Sequence, residues 1–148
     1  MTGPRLAVRG LIVHGGRVLL VNAWPGGISD LWCAPGGGVE VGQALPEALM
    51  REVHEETGLA VTVGAPCLVN EFHDPGRGFH QVEVFFRCTV ASDALPPGKR
   101  DPAGVVTERQ WFTRAGLDGV RHKPGLLAEA AFGGWAGMLY DPLERLVR

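Results

Sequence analysis

Apolar positions along the chain come in short blocks punctuated by glycine and proline. Leu6–Val13 and Arg17–Asn22 are two such blocks, separated by His14-Gly15-Gly16. A glycine pair between strand-like runs predicts a hairpin, so two antiparallel strands open the chain. A loop with Pro25-Gly26-Gly27 follows, and the short segment Leu31–Ala34 leads into Pro35-Gly36-Gly37-Gly38. Consecutive glycines allow backbone conformations closed to other residues, which marks that loop as structurally special.

The pattern then changes period. Pro46–Thr57 predicts a helix: Pro46 suits the first helical position, Glu47 complements the positive end of the dipole, and Gly58 is the expected left-handed stop. Ala60–Phe72 and Gln81–Val90, rich in Val, Phe and Cys, predict a strand pair joined by the turn-forming segment His73–Gly78. Val105–Thr113 predicts another strand, and Pro124–Phe132 a second helix with Leu126, Leu127 and Ala130 on one side. Strands, a helix, strands again and a final helix are the order of a mixed sheet flanked by helices, α/β in the broad sense and α+β as the nearer label.

Length fits this picture: 148 residues make one domain, residues 1–148, with no repeat and no linker that would divide it. Apolar residues at 45% and charged residues at 20% exclude wholesale disorder. A formal charge of −2 lacks the positive field of a general polynucleotide binder, which excludes duplex nucleic acid as the expected partner. No apolar run reaches the roughly 20 residues of a membrane span, and Met1–Gly10 lacks a signal-peptide core, so a cytoplasmic protein is expected. Cys33, Cys67 and Cys88 are odd in number and lack CxxC spacing, and they read as reduced core fillers.

The chemistry concentrates in Arg51-Glu52-Val53-His54-Glu55-Glu56-Thr57-Gly58-Leu59. At about 100° per residue, Glu52, Glu55 and Glu56 share an arc of roughly 100°, while Leu49, Val53 and Thr57 form a separate stripe beside it. Such crowding is unfavourable by itself, since like charges at i,i+3 and i,i+4 each cost about 0.2–0.5 kcal/mol. The helix dipole adds a further penalty near the carboxyl end. A hard divalent cation removes both penalties, and Mg²⁺ typically takes one or two carboxylates together with water and substrate phosphates. The plainer reading is a solvated acidic face neutralised by Arg51 and other cations. The glycine loop just upstream, which permits close backbone approach beside the helix, favours the cation.

These residues resemble the box of the Nudix hydrolase family: Gly, five residues, Glu, seven residues, Arg-Glu, an aliphatic residue, one residue, Glu-Glu, one residue, Gly and an aliphatic residue. Gly37, Arg51, Glu52, Val53, Glu55, Glu56, Gly58 and Leu59 stand in register, and Gln43 replaces the first Glu. The resemblance implies a Nudix-like mixed sheet sandwiched between helices. It also implies Mg²⁺ or Mn²⁺ held by Glu52, Glu55 and Glu56 with the Gly36 carbonyl, and a catalytic set of Glu52, Glu55 and Arg51, the arginine keeping the box in shape. Gln43 keeps a carbonyl acceptor and loses a charge. A looser likeness around Glu108-Arg109-Gln110-Trp111-Phe112 makes Glu108 a further metal ligand or base, against its plain reading as an exposed strand residue.

The implied reaction is hydrolysis of a nucleoside diphosphate linked to another moiety. Pro75 lies 16 residues beyond Leu59, similar to a spacing found in ADP-ribose hydrolases of the family, and nucleoside triphosphates stand beside ADP-ribose-like compounds as substrates. Trp24, Phe72 and Trp111 are candidates to stack on a base, with Trp32, Phe79 and Trp135 behind them. Arg77 and His80, with His73, are candidates to meet a phosphate or ribose. Ordinary packing and ordinary loop exposure are the competing readings of each. A nucleotide-sensing module on the same fold is the alternative to an enzyme, and Gln43 is the feature that favours it. The apolar tail Phe132–Leu146 either closes the chain's own core or serves a homodimer.

Overall fold

The structure, a computed structural model, describes residues 3–98, 101–134 and 137–148. Eight strands form one mixed sheet: β1 (Arg5–His14), β2 (Arg17–Asn22), β3 (Trp32–Cys33), β4 (Gly36–Gly38), β5 (Thr62–Asp74), β6 (Phe79–Thr89), β7 (Arg109–Thr113) and β8 (Leu139–Arg145). Their order is β3-β2-β1-β6-β5-β8, with β4 added to β1 and β7 to β2. The helices are α1 (Leu45–Thr57), α2 (Arg114–Leu117) and α3 (Leu127–Phe132).

The blocks of apolar residues are explained by burial on both sheet faces. On β1, Ala7, Val8, Leu11 and Ile12 are all buried, as are Val18 to Val21 on β2, so these strands read as continuous runs instead of alternating. Neighbours in sequence serve different layers. Val8 and Ile12 pack with Ala48, Leu49 and Val53 of α1, while Leu11 packs with Leu68, Phe85, Leu117 of α2 and Leu127 and Ala130 of α3. The sheet is therefore covered by α1 on one side and by α2 and α3 on the other.

Helix α1 matches its sequence signals closely. It starts one residue before Pro46 on an uncapped Ala44 and carries Glu47 in its first turn. It stops at Gly58, whose φ is 80° and whose N–H bonds the His54 carbonyl at 2.9 Å. The buried Thr57 hydroxyl donates to Val53 O at 2.7 Å and accepts from Leu59 N–H at 3.1 Å, which fixes the exit of the chain.

Several expected bounds are corrected. The strand expected over Val105–Thr113 begins at Arg109, because the Asn22 carboxamide takes the preceding backbone: it accepts from Thr107 and Glu108 N–H at 2.9 Å each and donates to Val105 O at 2.8 Å. The helix expected from Pro124 begins at Leu127, since Leu126 N–H is drawn to Asp141 Oδ2 at 2.8 Å. The tail supplies β8, which pairs parallel with β5. Trp135 lies outside the described residues. Cys67 and Cys88 fill the two core layers, whereas Cys33 is only half-buried.

Candidate active site

The three glycines after Pro35 form β4, paired antiparallel with β1 through Ala7–Gly38, Val8–Gly37 and Arg9–Gly36. Gly36 has φ of 155°, and a side chain there would run into the Val8 carbonyl oxygen. A Cβ on Gly37 would lie 2.7 Å from Cδ of Glu52. Gly36 leaves no room for a side chain against the β1 backbone, while a side chain at Gly37 would displace the Glu52 carboxylate.

This contact brings α1 to the strand. Gly36 N–H donates to Glu56 Oε2 at 3.0 Å, and the Glu52 carboxylate lies against Gly37. Arg51 Nη1 donates to Glu52 Oε1 at 3.2 Å and reaches Glu55 Oε2 at 3.5 Å. Burial pushes the Glu56 carboxyl up to about 8; Arg9 and the Gly36 N–H oppose the rise, while Glu52 and Asp101 add to it. Glu52 is raised as well, chiefly by burial, with Arg51 working against the shift and Glu55 with it.

The shared arc on α1 does not carry over into convergence of the carboxylates. Among the described residues, no three His, Cys, Asp or Glu side chains stand together as a group able to hold a metal ion. Arg51 draws Glu55 while the glycine strand draws Glu56, which separates like charges. The Gly36 carbonyl, expected as a ligand, accepts from Arg9 Nη1 at 3.3 Å. Even so, the donors suit a hard divalent cation: all are oxygen, Glu52 and Glu56 are burdened by burial, and the Glu52 carboxylate rests in the space a side chain at Gly37 would take. Gln43 turns away from this work and closes its own loop, its Oε1 accepting from Glu40 N–H at 3.3 Å.

A cavity of about 450 Å³ is reached from the glycine strand through Arg5 and Arg9; Gly36–Gly38, Glu52, Glu55 and Glu56 do not line it. Its floor is the inward phase of three strands: Arg5 and Arg9 of β1, Gln81 and Glu83 of β6, and Asn70 and Phe72 of β5. Trp24, Phe72 and Arg77 line it, and Phe79 joins them. His80 and His73 do not, because they occupy the opposite phase of their strands; His80 Nε2 lies 3.3 Å from Glu71 Oε1. Trp111 is likewise turned away: its Nε1 donates to Asp93 O at 2.9 Å and its ring packs on the α1 layer. Trp32 is set edge-on to Phe112 in the core on the α3 side. Glu108 is exposed, its N–H held by Asn22.

Arg9 is the residue that sequence reasoning passed over. Its Nε donates to Glu83 Oε2 at 2.7 Å, and its Nη1 reaches both Ala34 O at 3.2 Å and Gly36 O at 3.3 Å. One guanidinium thus joins the cavity floor to the strand that holds Glu56. Burial opposes its charge, but Glu83 and Glu56 hold the guanidinium protonated. Polar residues at the inward phase of apolar strands, Arg9 in Leu6–Val13 and Glu83 in Gln81–Val90, were the available signal.

A NUDIX domain profile matches residues 3–130, and the chain belongs to that family. It is 32% identical over 95 residues to an ADP-ribose pyrophosphatase of Methanocaldococcus jannaschii, a match covering 64% of this chain and 56% of the relative. A putative ADP-ribose pyrophosphatase of Bacillus subtilis is 28% identical over 90 residues, covering 59% of this chain and 42% of the relative. The chain thus spans about half the length of these relatives. A NUDIX hydrolase structure from Nitrosomonas europaea superimposes with a TM-score of 0.73 at 19% identity, covering 99% of this chain and 81% of the other, a likeness of fold. Among the described residues, no helix is long and apolar enough to cross a membrane.

Proposed function

We propose that the protein is a pyrophosphohydrolase that needs Mg²⁺ or Mn²⁺ and acts on a nucleoside diphosphate linked to another moiety. The observation that carries this reading is the apposition of Glu52 and Glu56 to the Gly36–Gly37 backbone, which Arg9 ties to the cavity floor through its bond to the Gly36 carbonyl. The names of the two relatives make an ADP-ribose-like compound the first substrate to try, with nucleoside triphosphates second.

Glu52, Glu55 and Glu56 would hold the cation, which when bound neutralises phosphate oxygens and acidifies water. The rest is the work of the chain. Arg51 keeps Glu52 and Glu55 oriented on the helix. Arg9 and Arg5 offer cations to phosphate oxygens on the cavity floor, with Arg9 kept in place by Glu83. A glutamate of the helix accepts the proton of the attacking water as its oxygen bonds to phosphorus and the bridging P–O bond breaks. Trp24 and Phe72 supply flat apolar surface for the organic part of the substrate.

The test is a panel of nucleoside triphosphates and nucleoside diphosphate conjugates, incubated with Mg²⁺ or Mn²⁺ in ¹⁸O-labelled water with product analysis. Cleavage at a pyrophosphate bond with oxygen incorporation is expected, and the label reports which phosphorus is attacked. A folded protein that cleaves nothing overturns the reading. The second reading, a nucleotide-sensing module, is favoured by the uncharged Gln43 and the split carboxylates; it predicts nucleotide binding by calorimetry without turnover.

A further inference from the structure

Both hydrogen bonds to the Glu83 carboxylate fall on one of its two oxygens. Arg9 Nε donates to Oε2 at 2.7 Å and Gln81 Nε2 donates to the same atom at 2.9 Å, whereas Oε1 takes none. Gln81 is itself oriented by Arg5, whose Nη1 donates to its Oε1, so the amide nitrogen is committed to Glu83. Among the described residues, the enclosed side-chain oxygen or nitrogen without a partner is Asn70 Oδ1; Glu83 Oε1, equally unpartnered, therefore touches open space. Glu83 as a whole is 5% exposed, and the space it lines is the cavity. A buried carboxylate thus turns one bare oxygen toward the cavity, held there by two donors on the other oxygen.

A ligand that displaces water from this oxygen must supply a donor or leave a charged acceptor unmet, at a cost of roughly 1–3 kcal/mol or more. The neighbours narrow the chemistry of that donor. The Arg9 guanidinium on the same carboxylate disfavours a second cation, and the carboxylate repels a phosphate oxygen, so a neutral N–H or O–H fits. Position then selects among the neutral donors of a nucleotide. Arg9 also bonds the Gly36 carbonyl at 3.3 Å, which sets Glu83 at the end of the floor nearest the helix glutamates. The aromatic surface lies further along the same strand phase. Phe72 pairs with Gln81, two residues from Glu83 on β6, and Phe79 is two residues beyond, about 13 Å from Glu83. With phosphate at Arg9 and the base against Phe72 and Phe79, whose ring centroids are 6.0 Å apart, the sugar falls at Glu83.

We propose that Glu83 is a specificity-determining residue whose Oε1 accepts a hydrogen bond from a hydroxyl of the nucleoside ribose, so that the protein selects ribonucleotides over their deoxy counterparts. The inference rests on the hydrolase reading for its substrate. Arg9 and Gln81 are the positioning residues, since they hold Oε2 and thereby aim Oε1.

Equilibrium binding of AMP and GMP, each against its 2′-deoxy and 3′-deoxy form, tests this. For at least one base the wild-type protein is expected to bind the ribonucleotide about tenfold more tightly, or better, than one of the two deoxy forms, because a hydrogen bond to a charged group is lost. The weaker form identifies the hydroxyl. In Glu83→Gln the single carboxamide oxygen is claimed by Arg9 and Gln81, which leaves an N–H where the acceptor was. The ratio is then expected to fall near one, with thermal unfolding used to verify the fold. Should that variant fail to fold, Glu83→Asp keeps the charge beside Arg9 and withdraws the oxygen by one methylene, with the same loss expected. A smaller wild-type preference throughout, no measurable binding of either ribonucleotide, or a preference that survives in a folded variant overturns the inference. These monophosphates need no turnover to be read. Intact preference without hydrolysis of the panel sinks only the hydrolase reading, and hydrolysis without preference sinks only this one.

Discussion

Gly36 holds Glu56 through its N–H at 3.0 Å while its carbonyl accepts from Arg9 at 3.3 Å, so a single peptide segment stands between the acidic helix and the cavity cation. The helix carboxylates are thus seated by backbone as well as by Arg51. Removing a charge on the helix and disturbing the strand should therefore have different signatures.

Glu55→Gln and Glu56→Gln remove charge while keeping shape and hydrogen-bond capacity. Each is expected to lower turnover by about a hundredfold or more with circular dichroism unchanged, as losses of catalytic electrostatic groups typically do. Unchanged kinetics would restore the reading of a solvated acidic face.

Glu56 also ties stability to pH. Its folded value, pushed up to about 8 by burial, lies above its ordinary value of 4.5. The folded state therefore holds a proton that the unfolded state has lost between those limits, and stability conferred by that proton declines as pH rises through about 8. Metal-free protein should lose unfolding free energy from pH 5 to pH 8.5, on the order of 1–3 kcal/mol. Glu56→Gln should flatten this slope in denaturant titrations. Mg²⁺ should stabilise the wild type more at pH 8.5 than at pH 5, since it competes with the proton.

Gly37→Ala places a methyl group 2.7 Å from Cδ of Glu52. The Glu52 carboxylate, at the end of a flexible side chain, must swing away, which costs little stability but moves a proposed cation ligand. Activity and Mg²⁺ affinity are both expected to fall while the protein stays folded; wild-type Mg²⁺ affinity in calorimetry would refute the proposed role of Glu52.

The Arg9–Glu83 pair is buried enough, at 18% and 7% side-chain exposure, for loss of one partner to be costly. Arg9→Met should destabilise by about 3–5 kcal/mol because it leaves Glu83 uncompensated. The double variant Arg9→Met with Glu83→Leu should recover part of that stability in urea unfolding without recovering substrate affinity.

Gln43→Glu restores the charge by which this chain departs from the family pattern. Its Oε1 accepts from Glu40 N–H, which glutamate does equally well. Equal or higher turnover is expected. A large loss would give Gln43 a role of its own.

The helix and the opening hairpin were legible because their signals are local: Pro46, Gly58 and the Gly15-Gly16 turn each act within a few residues. The acidic face could be read from angular spacing, and the glycine strand was recognisable as special. Where each carboxylate points was not, because Arg51, Gly36 and Gly37 decide it through contacts that helical periodicity does not describe. Strand β8 was hidden by Pro142 and by its pairing with the distant β5. Trp111 and His80 lie outside the cavity lining, and the sequence could not say so, because an aromatic or imidazole ring suits either face of a strand and only pairing fixes the phase. Phe72 and Arg77 lie in the cavity lining, as does Asn70, which is two residues before Phe72 on the same strand phase.

The bridge at Gly36 makes the two ends of the site reciprocal. A phosphate that draws the Arg9 guanidinium toward itself weakens its grip on Gly36 and lowers the positive potential felt by Glu56. Thermodynamic linkage then requires that whatever occupancy of the cavity does to cation uptake, the cation does in equal measure to occupancy. Affinities for cation and nucleotide measured separately would not add up to the affinity for both together.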